Sequence, residues 1–192
     1  MPGRLSTSAR GGVTARYAWR YGSKLYSVDL NNDGTPEVTY KTGGDGKRRA
    51  RIAGASETWY NWDSGFTVIS EETGSTGTGA LMRTYVGRSL AHLDGSNPAT
   101  GTWRYMYHDH LGGVRQVRDA NRNLVAEYAF LPYGQMDAWS GTANATTRLF
   151  TGHDRDPLTN QDYAPYRWYS STMNRWLSRD PLGMVDGPNV YA

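Results

Sequence analysis

The sequence YHDHLGGVRQVRDANRNLVAEYAFLPYG, from Tyr107 to Gly134, contains short apolar runs that are interrupted by Gly, Asn, Asp and Pro. This punctuation is typical of β-hairpins. A second stretch, RLFTGHDRDPLTNQDYAPYRWYSSTMNRWLSRDP from Arg148 to Pro181, interleaves aromatic residues and arginines densely. The first stretch therefore predicts consecutive hairpins, and neither stretch spaces its apolar residues as a long helix would.

The residues of both stretches closely resemble the Rhs (rearrangement hotspot) family, in its RHS repeat-associated core and in the YD repeats that precede that core. The match keeps the family's order without a break and covers nearly half of the chain. The matching residues are Tyr107, Asp109-His110-Leu111-Gly112, Val114-Arg115, Val117, Asp119, Tyr128, Pro132-Tyr133-Gly134, Phe150-Thr151-Gly152, Asp156, Arg167-Trp168-Tyr169, Arg175-Trp176-Leu177-Ser178 and Asp180-Pro181-Leu182-Gly183.

This resemblance implies an all-β fold of consecutive antiparallel hairpins, a spiralling YD-repeat sheet that forms part of a shell and contains little helix. Complete relatives form hollow shells that hold a C-terminal toxin for interbacterial competition, and they are exported or displayed at the cell surface. The partner implied here is a larger Rhs/YD-repeat chain or a toxin domain. The localisation of this chain stays open, because its first 20 residues lack the apolar core of a signal peptide.

The short length of the chain bears on its function, because 192 residues hold too few repeats to enclose a protein cargo. We therefore expect a non-catalytic structural segment of such a shell, with exposed sheet edges at its two end strands. The alternative is a small surface module that binds carbohydrate or protein through exposed Tyr and Trp side chains, with or without a stabilising calcium ion.

Four regions are predicted along the chain. Residues 1–14 are small and polar and predict a disordered leader. Residues 15–93 resemble degenerate YD-repeat hairpins, and residues 94–102 are rich in turn-forming residues and predict a linker. Residues 103–192 form the core region that carries the family resemblance. Within it, the small and polar stretch from Met136 to Thr147 predicts a surface loop.

The composition supports a β protein rather than other classes. The chain has 14 Tyr, 7 Trp and 23 Gly, and aromatic residues favour strands. It has no Cys, which excludes disulfides and thiolate metal sites. The net charge of +3 is too small to indicate a nucleic-acid partner by itself. No stretch approaches the roughly 18 apolar residues of a membrane span, so we expect none.

The loop from Asp29 to Glu37, DLNNDGTPE, is a candidate calcium site. Asp29, Asn31, Asp33 and Glu37 place oxygen atoms at alternate positions around a glycine, and Ca²⁺ prefers six to eight such ligands. The loop is not an EF-hand, because its twelfth position is Tyr40. The alternative is a polar hairpin turn without an ion, which the same residue types favour. No other cofactor is predicted.

Two further clusters have a structural and a functional interpretation. His108-Asp109-His110 could contribute to a metal site with His92 or His153, but it also falls on the family's turn pattern, which we favour. The basic run Lys47-Arg48-Arg49 with Arg51 could follow a nucleic-acid backbone. We favour stacking of these arginines on aromatic rings within the repeats, and we expect no nucleic-acid partner.

Asp180 matches one half of a catalytic pair, because complete Rhs cores resemble self-cutting aspartic proteases. In such a pair two close carboxylates share a proton, so that one acts as acid and the other as base. Arg179 stands beside Asp180, but the second Asp-Pro-x-Gly segment and the cleaved bond would lie beyond Ala192, and Asp186 belongs to a different family segment. We expect no catalytic residue and no enzymatic activity, with Asp180 as a turn or arginine-pairing carboxylate.

Several residues depart from the family pattern. Arg122 and Asn160 stand where glycine is usual, so either Arg122 or a neighbouring Asn must take a left-handed backbone conformation. Pro165 cannot donate a ladder hydrogen bond, so its strand must be an edge or be broken locally. Tyr166, Tyr169, Met173, Trp176 and Leu177 also have helical spacing, but the resemblance favours strand, turn and strand, with the turn at residues 170–174.

Overall fold

A single large antiparallel sheet contains most of the chain. The computed structural model describes residues 4–10, 12–74, 79–185 and 187–191. Each strand of the large sheet pairs with the next one along the chain, which confirms the predicted all-β fold of consecutive hairpins. The thirteen strands are β1 (Thr7–Arg10), β2 (Val13–Arg20), β3 (Lys24–Asp29), β4 (Val38–Thr42), β5 (Arg48–Ala53), β6 (Ser56–Trp62), β7 (Val68–Thr73), β8 (Leu81–Val86), β9 (Ala91–Asp94), β10 (Thr102–His108), β11 (Val114–Arg118), β12 (Leu124–Phe130) and β13 (Met136–Gly141).

A second, smaller sheet follows a single 3₁₀ turn at Phe150–Gly152. Its four antiparallel strands pair in chain order. They are β14 (Asp154–Arg155), β15 (Asp162–Ala164), β16 (Arg167–Ser170) and β17 (Arg175–Trp176). The last two strands confirm the prediction of strand, turn and strand in this region. β15 ends directly before Pro165, so the predicted local break is also confirmed.

Turn residues with positive φ angles connect the hairpins. Arg122 (φ 67°) and Asn160 (φ 56°) adopt the left-handed conformation at the positions where the family has glycine. Both departures from the family pattern are therefore accommodated by the backbone. Gly134 (φ 84°) is more demanding, because a Cβ atom at this position would also overlap the ring of Phe150. Only glycine satisfies the conformation and the space of that turn.

The N-terminal residues differ from the predicted disordered leader over 1–14. Within the described part, β1 pairs with β2, which begins at Val13. The N–H of Leu5 donates to the carbonyl of Leu177 at 3.0 Å, and the indole N–H of Trp19 donates to the carbonyl of Leu5 at 2.6 Å. Backbone hydrogen bonds, which do not depend on apolar side chains, order this segment. Residues 1–3 and 11 lie outside the described residues.

Two other predicted segments, a linker and a surface loop, contain parts of hairpins of the large sheet. The predicted linker 94–102 contains the turn between β9 and β10, which pair directly with each other. The regions 15–93 and 103–192 are therefore joined by one continuous sheet. The predicted loop from Met136 to Thr147 begins with β13, an edge strand that pairs with β12 on one side. Its exposed and mostly polar side chains resemble those of a loop, which explains the wrong prediction.

The core lies where the small sheet covers one face of the large one. Buried residues from β2, β3 and β4 form one cluster with residues of the small sheet and the segment after it, namely Tyr17, Leu25, Val28, Val38, Tyr40, Tyr163, Trp168 and Leu177. A second cluster lies under β10, β11 and β12. None of the helical segments in the described part of the chain has the length and apolar character needed to cross a lipid bilayer.

Candidate functional site

Three buried ion pairs lie at the contact between the two sheets, and they form the candidate functional region. Arg48 of β5 pairs with Asp154 of β14, and the two side chains are only 2% and 4% exposed. The other two pairs are Arg51 with Asp156, whose Nε and Oδ2 atoms are 2.7 Å apart, and Arg155 with Asp162, whose Nη2 and Oδ2 atoms are 2.7 Å apart. The first two pairs join residues more than 100 positions apart in the sequence.

A β-bulge brings Arg48 and Arg51 to the same face of the sheet. Strict alternation would place residues three positions apart on opposite faces. In the pairing of β4 with β5, however, Lys41 lies opposite Ala50, and the next residue, Thr42, lies opposite Arg48. Arg49 is the extra residue of this bulge, and such a residue shifts the alternation by one position. Both arginines therefore reach carboxylates of the small sheet.

Aromatic rings surround the buried guanidinium of Arg48. Its central carbon lies 4.0 Å from the ring centre of Tyr60, 4.6 Å from that of Tyr163 and 5.5 Å from that of Trp168. The backbone N–H of Arg48 also donates to the hydroxyl of Tyr163 at 2.8 Å. The predicted stacking of an arginine from this basic run on aromatic rings is confirmed. The rings and Asp154 together compensate for the loss of water around the charge.

The other residues of the basic run also have partners in the fold. The ammonium of Lys47 donates to the carbonyl of Asp63 at 3.1 Å and lies 4.5 Å from the ring centre of Phe66. Arg49 pairs with Asp45 at the surface. A run that looks continuous in the sequence is therefore divided between the interior and the surface.

The charge on Asp154 is maintained by its two arginine neighbours. Burial opposes ionisation, but the guanidiniums of Arg48 and Arg148 outweigh it and lower the pKa of Asp154 below its usual value. Asp156 behaves in the same way, because Arg51 and the donated hydroxyl of Tyr40 outweigh burial and lower its pKa. Both carboxylates are ionised at neutral pH and remain partners for the arginines of the large sheet.

A further, partly buried charged cluster lies across β7, β8 and β9. Arg83 contacts Asp94 at 2.7 Å, and the hydroxyl of Tyr85 donates to Glu71 at 2.5 Å. His92, which the sequence suggested as a partner of the His108 region, lies 3.5 Å from Asp94 instead. Burial opposes ionisation of Asp94, but His92 and Arg83 lower its pKa to about 2. The pairing of Arg83 with Asp94 was not predicted, because charged residues in strands usually face solvent.

The candidate calcium loop is held together by hydrogen bonds to its own backbone. Asp29 accepts the N–H groups of Asp33 at 3.2 Å and of Gly34 at 2.9 Å. Asn31 accepts the N–H of Asp33 at 3.0 Å, and Glu37 accepts that of Leu30 at 2.6 Å. These contacts fit the alternative of a polar turn. Among the described residues, no three acidic or histidine side chains are grouped as metal ligands. Calcium binding stays a prediction.

The segment His108-Asp109-His110 forms the predicted turn. Asp109 accepts the N–H groups of Leu111 at 3.0 Å and of Gly113 at 2.9 Å, and it pairs with Arg115 at 2.9 Å. His108 ends β10, whereas His110 is exposed within the turn. The two histidines therefore do not share one strand face, and Asp109 acts as a turn residue.

Asp180 makes the two kinds of contact that the structural interpretation predicts. Its Oδ2 atom lies 2.9 Å from Nη2 of Arg167, and its Oδ1 atom accepts the N–H of Leu182 at 2.8 Å. The neighbouring side chain of Arg179 is exposed. Asp186 lies outside the described residues. The described contacts of Asp180 assign it to a turn and to an arginine pair.

Comparisons with known proteins relate the chain to much longer toxin proteins, although no family model matches the sequence. Toxin subunit YenC1 of Yersinia entomophaga is 25% identical over 209 aligned positions, which cover 100% of this chain and 21% of YenC1. Toxin protein Tse5 of Pseudomonas aeruginosa is 33% identical over 102 positions, which cover 50% of this chain and 7% of Tse5. The chain is thus a distant relative of these toxin proteins.

A solved structure matches the fold over nearly the whole chain. The crystal structure of TcdB2-TccC3 superposes with a TM-score of 0.73 at 23% identity, and the match covers 94% of this chain and 10% of that one. The fold of this chain therefore corresponds to that of a segment of a larger protein. The chain spans about a fifth or less of the length of each of these proteins.

Proposed function

We propose that this chain is a structural segment of an Rhs/YD-repeat shell, of the kind that in complete relatives encloses and presents a C-terminal toxin. The observation that carries the proposal is the large sheet: within the described residues its thirteen strands follow one another in chain order, and β1 and β13 do not pair with each other. An open sheet of this kind extends by adding hairpins at its edges. Similarity to the toxin proteins and to the TcdB2-TccC3 fold supports this role.

In this proposal the buried ion pairs attach the small sheet to one face of the shell wall. The pairs Arg48–Asp154 and Arg51–Asp156 each join one sheet to the other. Arg155 adds a third link, because its Nη2 donates to the carbonyl of Gly134 at 2.9 Å. The partner would be a larger Rhs/YD-repeat chain or a toxin domain, as the resemblance implies.

The shell proposal can be tested at the unpaired edge of strand β13. A shell segment should associate through its exposed edges when it is purified alone, because unpaired strand edges are templates for pairing. Light scattering after size exclusion should therefore show a mass that rises with concentration. The substitution Ala138→Lys on β13 should reduce this association, because a charged edge residue opposes strand pairing.

The matched control for this test is Ala18→Lys, because Ala18 is also exposed but lies on β2, which has a neighbour on both sides. This variant should associate as the unmodified chain does. A monomer at every concentration would contradict the shell proposal.

A second candidate function is a small surface module, and a specific observation favours it. Trp139 is 51% exposed and stands at a cavity of about 190 Å³ whose walls also carry Asn144, Asn160 and Thr147. An exposed aromatic ring with nearby amide and hydroxyl groups can contact a sugar or a protein. Retention of the purified monomer on a glycan surface, lost in Trp139→Ala, would favour this candidate.

The chain is proposed to have no autoproteolytic activity, because Asp180 supplies at most half of the family's catalytic pair. We expect the purified chain to keep its full mass during prolonged incubation, and Asp180→Asn to leave that mass unchanged. Mass spectrometry provides the measurement. A shortened product with an intact N-terminus that disappears in Asp180→Asn would contradict the proposal and assign a catalytic role to this carboxylate.

A further inference from the structure

A cavity of about 660 Å³ lies between the turns of the large sheet and the segment that leads into the small one. Its walls come from the turns after β6, β8 and β10 and from residues around the 3₁₀ turn. This volume falls within the range of about 300–1,000 Å³ that small-molecule sites occupy.

The side chain of Arg148 makes this cavity suitable for an anion. Arg148 is 8% exposed, lines the cavity, and has Nε and Nη2 atoms that are buried without a hydrogen-bond partner. Asp154 stands next to it but is paired with Arg48. Buried donors without partners are rare in folded proteins and call for a bound water, ion or ligand. A guanidinium fork matches the two oxygens of a carboxylate or a phosphate.

The remaining walls add positive charge and aromatic surface. Arg88 lies at the exposed rim, and none of the lining side chains among the described residues is a carboxylate. The rings of Trp62, Phe66 and Tyr163 also border the space. A ligand there would therefore meet a cationic group and a flat apolar surface at the same time.

The 3₁₀ turn at the cavity wall has a constrained backbone. Thr151 has a φ angle of 52°, which is unusual for a β-branched residue. Its hydroxyl donates to the carbonyl of Phe150 at 2.8 Å and lies 2.7 Å from Nδ1 of His153. Strained residues of this kind persist where the surrounding structure holds them, and they occur often at binding sites.

We propose that this cavity binds a small organic anion that carries a carboxylate or a phosphate on a planar apolar group. Arg148 holds the charged oxygens from inside the cavity, and Arg88 adds attraction at the rim. The aromatic side chains contact the apolar part of the ligand. The site borders the Arg48–Asp154 pair, because Arg148 lies beside Asp154, and the proposal does not depend on the shell role.

The four histidines of the chain provide a direct test with the unmodified protein. Benzoate and phenyl phosphate are titrated at constant ionic strength while the ring protons of the histidines are followed by NMR. The signals of His108 and His153, which line the cavity, should shift and saturate. The signals of His92 and His110, which do not line it, should stay in place. The anion that saturates at the lower concentration identifies the preferred oxyanion.

Neutral benzamide is the control for shape, because it resembles benzoate without the charge, and it should produce no saturating shift. Equal shifts with benzamide would overturn the proposal, as would the absence of saturation with both anions. Shifts of all four histidines together would show non-specific binding and would also overturn it.

Two substitutions test the role assigned to the arginines. Arg148→Lys keeps the charge but removes the fork, and it should weaken binding about tenfold. Because Arg148 is buried and its replacement can disturb folding, Arg88→Gln at the rim provides a second variant, with an expected few-fold loss of affinity. Arg16→Gln removes an exposed charge on β2 and should leave binding unchanged. Unchanged affinity in both cavity variants would overturn the assignment.

Discussion

Replacing Asp154 by alanine is expected to lower the free energy of unfolding by about 3–5 kcal/mol, because it leaves the buried guanidinium of Arg48 without its partner. Cation–π contacts with the aromatic rings around Arg48 reduce this loss of stability, but they do not replace the carboxylate. Urea denaturation followed by tryptophan fluorescence measures the effect. A loss below about 1 kcal/mol would show that the pair is solvated and would contradict its burial between the two sheets.

The matched control for this substitution is the surface pair of Arg49 and Asp45, whose side chains are 40% and 38% exposed. Asp45→Ala should cost at most about 1 kcal/mol, since exposed ion pairs contribute little. The double substitution Arg48→Met with Asp154→Leu should recover much of the loss, because apolar residues of similar volume can replace a buried pair. Recovery would show that the pair contributes specificity more than stability.

The pH dependence of stability provides an independent measure of the same pair. The pKa of Asp154 is lower in the folded protein than its usual value of 3.8. A carboxyl group whose pKa is lower in the folded protein contributes its full stabilisation at pH values above its pKa in the unfolded chain. This contribution is lost as the pH falls through the pKa of the group in the folded protein. The unmodified chain should therefore lose stability below about pH 4, and the apolar double variant should lose less there.

The local features of this fold were predictable because single residues determine them. The hairpin order follows from the turn-forming residues that separate the short apolar runs. The positive φ angles of Arg122 and Asn160 follow from their turn positions, and the end of β15 follows from Pro165. Each of these features depends on the backbone preferences of one or two neighbouring residues, which the sequence displays directly.

The ion pairs were not predictable from local preferences. Arginine and aspartate are usually exposed, so propensity places Arg48, Arg51 and Asp154 at the surface. The bulge at Arg49 reverses the alternation that would otherwise assign faces to this strand. The partners are more than 100 residues away, and only the folded sheet brings them together. Predicting the pairs required the three-dimensional register, which strand patterns leave open.

The two wrongly predicted segments had a common physical reason. β1 and β13 lie at the two edges of the large sheet and have mostly polar or small side chains. Their order comes from backbone hydrogen bonds to β2 and β12, which any residue except proline can make. Patterns of apolar residues therefore underestimate edge strands.

Replacing Trp168 by alanine should have an effect as large as that of losing Asp154, about 3–5 kcal/mol, because it opens a cavity where the two sheets meet. Trp168 is 4% exposed, and its ring centre lies 4.5 Å from that of Tyr40 and 5.1 Å from that of Tyr163. The carbonyl of Trp168 also accepts the N–H of Leu177 at 2.8 Å, which aligns the next strand. Denaturation with urea measures the total loss.

The control for this substitution is Trp139→Ala, because Trp139 is half exposed on the edge strand β13. It should change the free energy of unfolding by about 0.5 kcal/mol or less. Hydrogen exchange then locates the effect of Trp168→Ala. If the small sheet is attached through this contact and the ion pairs, the amides of β14 to β17 should lose protection before those of β4 to β6. Uniform loss of protection would instead show that both sheets unfold as one unit.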